Sequence, residues 1–292
     1  MKALTSVLTT RREQGHEVCV LTSDCVELEV VPELGAKIIS LKDLRSGREW
    51  LWHPPQGRKL FRNRHGDDFF HSPLVGIDEC FPTIAPCMWQ GRNLPDHGEL
   101  WSLPWTVDEA AWNAGILKTT VFPKLSPFEF TRTIELHQNE VRVEYQLSNC
   151  GTAHESFMWA IHPLLRLRSG DQLDLPGPTR TLFNGESWVD AIASAVPQNQ
   201  CAKIFAAPVS DGWAAVHNPQ TGDRLQIEWD PEENNTLGLW LTRGGWHGHD
   251  HFAIEPTNSD ADDLCSAAAR NKCGTIAAQG SKSWHLCFRL GA

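Results

Sequence analysis

The chain has 292 residues, of which 41% are hydrophobic and 21% charged, proportions typical of a globular protein with a large core. Its formal net charge is -10, and its 26 Lys and Arg residues form no stripe that could neutralise a phosphate backbone, which argues against a nucleic-acid partner. No apolar run is long enough to span a membrane and no secretion signal is visible, so we expect a cytoplasmic protein without membrane association.

Short apolar or alternating runs rich in Val, Ile, Thr and aromatic residues recur along the chain, whereas helical periodicity is nearly absent. Two long irregular stretches, residues 53–105 and 166–200, separate them and are expected to shape a binding face. The pattern predicts an all-β protein, a large antiparallel two-sheet sandwich forming a single domain over residues 1–292, with a cleft on one face. The clearest predicted strands are 17–21, 26–31, 37–41, 117–122, 128–136, 141–147, 156–162, 213–217, 225–229, 237–242, 252–255 and 284–290.

The composition is unusual in its aromatic and sulfur-containing residues. There are 13 Trp and 13 His beside a single Tyr, and indole rings often cover the apolar face of a bound sugar, although most Trp residues belong to protein cores. The nine Cys residues include no C-x-x-C pair of the kind that forms zinc sites. We therefore expect reduced, mostly structural thiols and no metal.

Three residues at the edges of the irregular stretches can perform acid–base chemistry. His97 precedes a glycine in a Pro-bounded loop, and Trp101 and Trp105 follow it. His162 and Glu255 each close an apolar run and are followed by proline, which cannot donate to a sheet ladder, so both are predicted at strand ends. A carboxylate buried there without a partner has a raised proton affinity, which suits a general base.

Each of these residues also has a purely structural interpretation. His97 can cap its own loop by hydrogen bonding, and His162 can be a buried, hydrogen-bonded ring. Glu255 can pair with Arg132 or Arg243. Taken singly, none of the three establishes a catalytic site.

Taken together, the ordered motifs resemble the aldose 1-epimerase (galactose mutarotase-like) family. The matching order is His-Gly in a Pro-rich loop before Trp, then His-Pro after an apolar strand, then Glu after an aromatic and apolar strand near the C-terminus. The resemblance covers most of the chain and implies a β-supersandwich that opens a sugar ring without a cofactor, an isomerase of carbohydrate metabolism. Further similar segments are 33–43, 76–82, 130–132 and 149–151.

The resemblance also implies roles for the three residues. Glu255 is expected to take the proton of the C1 hydroxyl, and His162 to protonate the ring oxygen as the C1–O5 bond breaks. His97 is expected to hydrogen-bond near that oxygen or to share the acid role. Candidates for contacts with the sugar are Arg132, Asp78 and Glu79 for its hydroxyls, and Trp240 or Trp246 for stacking; Trp101 and Trp105 are alternatively loop packing.

The sequence departs from relatives that act on hexose 6-phosphates. Where these often have Arg shortly after His-Gly, this chain has Trp101, and residues 77–80 replace a Gly-Pro-rich segment. A hexose-6-phosphate 1-epimerase stays an alternative, since Arg62, Arg64, Arg92 and Arg132 could supply a phosphate site if they converged.

Two further alternatives remain open. The run of His and Asp in residues 246–251 is a candidate metal-binding segment. A carbohydrate-binding protein of the same fold without activity is the other. The particular sugar is not determined, and we expect a monomer or a weak homodimer.

Overall fold

A computed structural model describes residues 6–182, 192 and 196–291, and strands dominate these parts of the chain. The first half contains β1 (Val7–Glu13), β2 (His16–Thr22), β3 (Val26–Val31), β4 (Lys37–Asp43), β5 (Ile77–Cys80), β6 (Cys87–Trp89), β7 (Arg92–Leu94), β8 (Thr106–Val107), β9 (Leu117–Val121), β10 (Phe128–His137) and β11 (Glu140–Asn149). The second half contains β12 (Glu155–Phe157), β13 (Ala160–Pro163), β14 (Gln172–Asp174), β15 (Gln200–Ala206), β16 (Trp213–His217), β17 (Arg224–Trp229), β18 (Thr236–Trp246), β19 (His249–Thr257), β20 (Gly274–Ile276) and β21 (Ser281–Leu290).

Helices are short and lie between strands. They are α1 (Glu109–Asn113), α2 (Gly177–Leu182) and α3 (Leu264–Ala269), with single 3-10 turns at Phe69–His71 and Leu100–Ser102. No helix within the described ranges has the length and apolar character needed to cross a membrane. Of the predicted irregular stretch 166–200, residues 183–191 and 193–195 lie outside the described residues.

Two large antiparallel sheets face each other. The first has nine strands in the order β1-β2-β3-β4-β5-β13-β19-β18-β15, and the second has eight in the order β14-β16-β17-β21-β11-β10-β9-β8. Alternate residues of both sheets point inward and form one apolar cluster, with Ile161 and Ile254 from the first sheet and Phe130, Val143 and Phe288 from the second. The predicted two-sheet sandwich is therefore confirmed.

The strand ends predicted from the two prolines are close to the observed ones. Pro163 pairs with Ile77 as the last residue of β13, and Pro256 pairs with Leu237 as the second-last residue of β19. The predicted strand 156–162 is in fact two strands, β12 and β13, which belong to different sheets. His162 and Glu255 lie one and two residues before the ends of β13 and β19, and these strands are near the middle of the nine-stranded sheet, with a neighbouring strand on each side.

Candidate active site

A cavity of about 220 Å³ opens on the nine-stranded sheet and collects residues from several distant segments. Strands β13, β15, β18 and β19 supply part of its wall, and the loops around residues 69, 84, 96 and 262 supply the rest. The volume is below the roughly 300–1,000 Å³ of pockets for drug-sized ligands, so it suits a molecule no larger than a single sugar ring.

Strand register brings His162 and Glu255 together in this cavity. The antiparallel pairing of Ala160 with Thr257 sets His162 on β13 opposite Glu255 on β19. The imidazole Nδ1 of His162 hydrogen-bonds to Oε1 of Glu255. On the other side of Glu255 the register places Gly238, where an added Cβ would lie 3.1 Å from Oε2 of the carboxylate. The absent side chain at residue 238 leaves space for that oxygen.

The Glu255 carboxylate is buried but electrostatically compensated. Burial raises its pKa, yet the ammonium of Lys203 and the ring of His162 outweigh burial and bring the pKa down to about 2. Nζ of Lys203 lies 3.6 Å from Oε2, and that oxygen has no hydrogen-bond partner within the described residues. The expectation of a raised proton affinity is therefore wrong, because a cation from β15 sits beside the carboxylate. Glu255 also pairs with neither Arg132 nor Arg243.

His97 enters the cavity from the loop opposite the sheet. Its φ of 55° is in the left-handed region, and the following Gly98 passes so close to the backbone of Phe81 that no side chain would fit. Nδ1 of His97 lies 2.9 Å from Oδ1 of Asp96, and its ring stacks on Phe69 with centroids 3.9 Å apart.

The protonation of His97 follows from these contacts. Burial lowers the pKa of His97 despite its hydrogen bond to Asp96. Burial raises the pKa of Asp96, but the hydrogen bonds from His97 and from backbone N–H groups outweigh burial, so the pKa of Asp96 is lowered. An ionised carboxylate only accepts, so Nδ1 of the neutral ring carries the proton and Nε2 is free to accept one. The His97 and His162 ring centroids are 5.2 Å apart across the cavity.

Three of the predicted sugar contacts are not on the cavity wall. Arg132 and Glu79 are fully buried and form an ion pair of 3.0 Å between the sheets. The hydroxyl of Tyr145 and the indole N–H of Trp159 also donate to Glu79, at 2.9 and 2.8 Å. These donors engage both carboxylate oxygens of Glu79 inside the core, so neither Glu79 nor Arg132 is available to a ligand.

Asp78 has a similar position. It is 1% exposed, and its carboxylate pairs with the ammonium of buried Lys37. The two tryptophans predicted to stack on the sugar, Trp240 and Trp246, do line the cavity. Trp101 is buried and donates its indole N–H to the backbone oxygen of Asp96 at 2.9 Å, which agrees with the loop-packing alternative.

The sequence assigned no role in sugar binding to two cavity residues, Lys203 and His251. Lys203 lies on β15, which was not among the predicted strands, and His251 belongs to the segment 246–251 that was considered for a metal. His251 lies on β19 four residues before Glu255, so both side chains are on the same face of the sheet. It is 1% exposed. Burial lowers the pKa of His251 to about 3, and neither ring nitrogen has a hydrogen-bond partner among the described residues. A ligand that both donates and accepts hydrogen bonds would provide partners for the two ring nitrogens of this buried imidazole.

Among the described residues, the cavity contains neither a set of metal ligands from residues 247–251 nor an arginine that could bind a phosphate. Within the described residues, the side chains of 247–251 do not bring three ligand atoms together. No arginine in those parts of the chain lines the cavity. Arg92 instead pairs with Glu155 at 2.9 Å, and Arg132 pairs with Glu79. The four arginines considered for a phosphate site therefore do not converge on it.

Comparison with known proteins supports the fold. No protein-family model matches the sequence, and neither does any curated protein. Among solved structures, a galactose mutarotase-like protein from Clostridium acetobutylicum has a TM-score of 0.72 and 14% identity over 98% of both chains. A candidate aldose 1-epimerase from Klebsiella pneumoniae has a TM-score of 0.70 and 15% identity, covering 94% of this chain and 79% of that one. A galactose mutarotase-like protein from Lactobacillus casei has a TM-score of 0.63 and 16% identity over 97% of this chain and 100% of its own.

At these identities the similarity establishes the fold. The chain has the galactose mutarotase-like β-supersandwich that its ordered motifs indicated. Function has to be argued from the side chains in the cavity.

Proposed function

We propose that the protein is an aldose 1-epimerase that interconverts the α and β anomers of an unphosphorylated monosaccharide. The observation that carries this proposal is the His162–Glu255 pair, which faces a sugar-sized cavity and has one carboxylate oxygen without a hydrogen-bond partner among the described residues. Ring opening needs one group to accept a proton and another to donate one, and this pair supplies both without a cofactor.

The reaction begins with Glu255 ionised and His162 as an imidazolium. Oε2 of Glu255 accepts the proton of the C1 hydroxyl while C1 becomes a carbonyl, the C1–O5 bond breaks, and O5 takes a proton from His162. Rotation about C1–C2 and the reverse proton transfers close the ring to the other anomer. Because one group gains a proton as the other loses one, the total charge of the buried pair is constant, which avoids the cost of creating net charge in a low-dielectric cavity.

The remaining cavity residues fit the binding of a sugar. Nε2 of neutral His97 accepts a hydrogen bond from a hydroxyl, while His251 donates to one hydroxyl and accepts from another. Trp240 and Trp246 provide apolar faces for the C–H side of the ring. In this proposal His97 holds the sugar near its ring oxygen, and His162 is the acid.

The Glu255→Gln variant tests the catalytic role. We expect the rate at which fresh α-glucose or α-galactose approaches anomeric equilibrium, followed by polarimetry, to fall by about 10²–10⁴-fold, because Gln cannot accept the proton. Glu144→Gln, at an exposed position of β11, is the matched control and should keep the wild-type rate. Wild-type protein that binds these sugars without accelerating mutarotation would instead be a non-catalytic carbohydrate-binding protein, and the proposal would be wrong.

The preference for an unphosphorylated sugar has its own test. We expect kcat/KM for glucose to exceed that for glucose 6-phosphate, because the cavity holds the carboxylates of Asp96, Glu255 and Asp262 and no arginine among the described residues. The measurement is the anomerisation rate of each substrate at the same pH and ionic strength. Faster turnover of the phosphate ester would identify a hexose-6-phosphate epimerase.

A further inference from the structure

A second cluster of potential ligands lies outside the cavity. The sulfur atoms of Cys87 and Cys265 and a carboxylate oxygen of Asp263 all lie within 4.8 Å of one another, and all three residues are half-buried. Cys87 is the first residue of β6, while Asp263 and Cys265 stand at the start of α3. Cys87 is far in sequence from Asp263 and Cys265, and the cluster includes no C-x-x-C pair, so nothing in the sequence predicted it.

The separation of these atoms suits one tetrahedral ion. Zinc–sulfur bonds of about 2.3 Å place two thiolates roughly 3.8 Å apart, and zinc–carboxylate bonds of about 2.0–2.2 Å are compatible with the same arrangement. Thiolates favour zinc over magnesium or calcium, which prefer all-oxygen ligand sets. We propose that Cys87, Asp263 and Cys265 bind one zinc ion, with a water molecule in the fourth position.

Each candidate ligand also has contacts within the protein. The S–H of Cys265 donates to the carbonyl of Met88 at 2.6 Å, a bond that is given up when the sulfur binds a metal as a thiolate, and the hydroxyl of Thr83 lies 3.8 Å from the sulfur of Cys87. Asp263 caps α3, where its Oδ1 accepts from the backbone N–H of Ser266 at 2.8 Å, and one of its carboxylate oxygens lies within 4.8 Å of both sulfurs.

Binding requires a defined exchange of protons. Zinc binds cysteine as the thiolate, so two thiol ligands release two protons for each ion bound.

The site would join two segments that form the cavity wall. The backbone N–H groups of Ile84 and Ala85 donate to the carbonyl of Asp262 at 3.0 and 2.6 Å, and all three residues line the cavity. A metal ion held between Cys87 on one segment and Asp263 and Cys265 on the other strengthens this connection. We expect bound zinc to stabilise the folded protein whether or not the protein acts on sugars.

The experiment is a metal titration of the reduced, metal-stripped full chain. Co²⁺ serves as a spectroscopic probe, and Zn²⁺ should displace it. We expect thiolate-to-cobalt charge-transfer absorption, one ion per chain, and release of two protons per ion in weakly buffered solution. Cys87→Ser and Cys265→Ser should each raise the Kd for zinc by at least about 100-fold, since loss of even an indirect contact to a metal ligand costs 10–100-fold.

Two controls separate this site from adventitious binding. Cys150→Ser removes an exposed thiol elsewhere in the chain and should leave the Kd unchanged. Asp263→Asn keeps a side chain able to cap α3 while removing the charge, and it should weaken zinc binding without unfolding the protein. No charge-transfer band in the wild type, or a band that persists in Cys265→Ser, would overturn the proposal.

Discussion

Lys203 is the residue that most changes the chemistry of Glu255. Its ammonium lies 3.6 Å from Oε2 of Glu255 and 2.6 Å from Oδ1 of Asp262. One ammonium group therefore pairs with two carboxylates, that of buried Glu255 and that of Asp262 at the cavity rim. Without it, only the two histidine rings would oppose the effect of burial, and the pKa of Glu255 would be higher. With it, Glu255 remains ionised over the whole physiological range and begins the reaction in the form a base requires.

The Lys203→Met variant tests this role. Loss of the ammonium removes the largest of the effects that lower the pKa of Glu255, so this pKa should rise and the acidic limb of the kcat/KM profile should move to higher pH. Lys203→Arg retains the charge and should keep the limb near its wild-type position. A profile that is identical in Lys203→Met and wild type would show that Lys203 does not control the protonation of Glu255.

At the level of elements, the site depends on strands packed side by side. Residues opposite each other on β13, β19 and β18 are His162, Glu255 and Gly238, and Phe205 of β15 follows opposite Gly238. A one-residue slip of any of these strands would turn its side chain to the other face of the sheet. The sheet therefore fixes the relative positions of acid and base more firmly than loops would.

Gly238→Ala tests the precision of this arrangement. The added methyl group would lie 3.1 Å from Oε2 of Glu255 and 3.2 Å from the ring of Phe205, so the carboxylate has to shift by a few tenths of an ångström. We expect kcat for mutarotation to fall roughly tenfold, because small displacements of a reacting group are costly, with the thermal unfolding midpoint little changed. Gly177→Ala, where an added Cβ meets no atom within 4 Å, is the control. Full activity in Gly238→Ala would contradict the proposed position of the base.

At the level of the whole molecule, buried histidines make stability depend on pH. The pKa of His251 is about 3 in the folded protein against 6.5 for an unperturbed histidine, and burial also lowers the pKa of His97. The unfolded chain therefore binds protons that the folded chain does not once the pH falls below about 6.5. Glu255 contributes in the same direction only below its unperturbed value of 4.5, since its pKa is lowered to about 2.

This linkage predicts a loss of stability on mild acidification. Between pH 7 and pH 5, His251 alone should lower the free energy of unfolding by about 2 kcal/mol, measured by urea denaturation. His251→Phe keeps an aromatic ring against Trp52 and removes the titrating group, so its stability should fall less over the same interval. An equal fall in both proteins would contradict the assignment of a neutral, buried His251.

Local sequence features were sufficient to predict the strands and to identify the three acid–base residues in their order along the chain. Every predicted strand overlaps an observed one, because alternation with a period of two residues is a property of neighbouring positions. The motifs around His97, His162 and Glu255 likewise identified three residues that meet in one cavity. The ends of β13 and β19 were predicted only to within one or two residues, since Pro163 and Pro256 still take part in sheet pairings that the sequence does not specify.

Tertiary structure alone decided the partners of the charged residues. The pairing of β15 with β18 brings Lys203 to Glu255, and the packing of the two sheets buries Arg132 against Glu79. Electrostatic interactions depend on distances between residues remote in sequence, so one pair of a cation and a glutamate became part of a site and the other became part of the core. For the same reason the alternating sequence predicted a β-sandwich and its acid–base residues, whereas the charge on Glu255 and the meeting of Cys87 with Cys265 follow only from the folded arrangement.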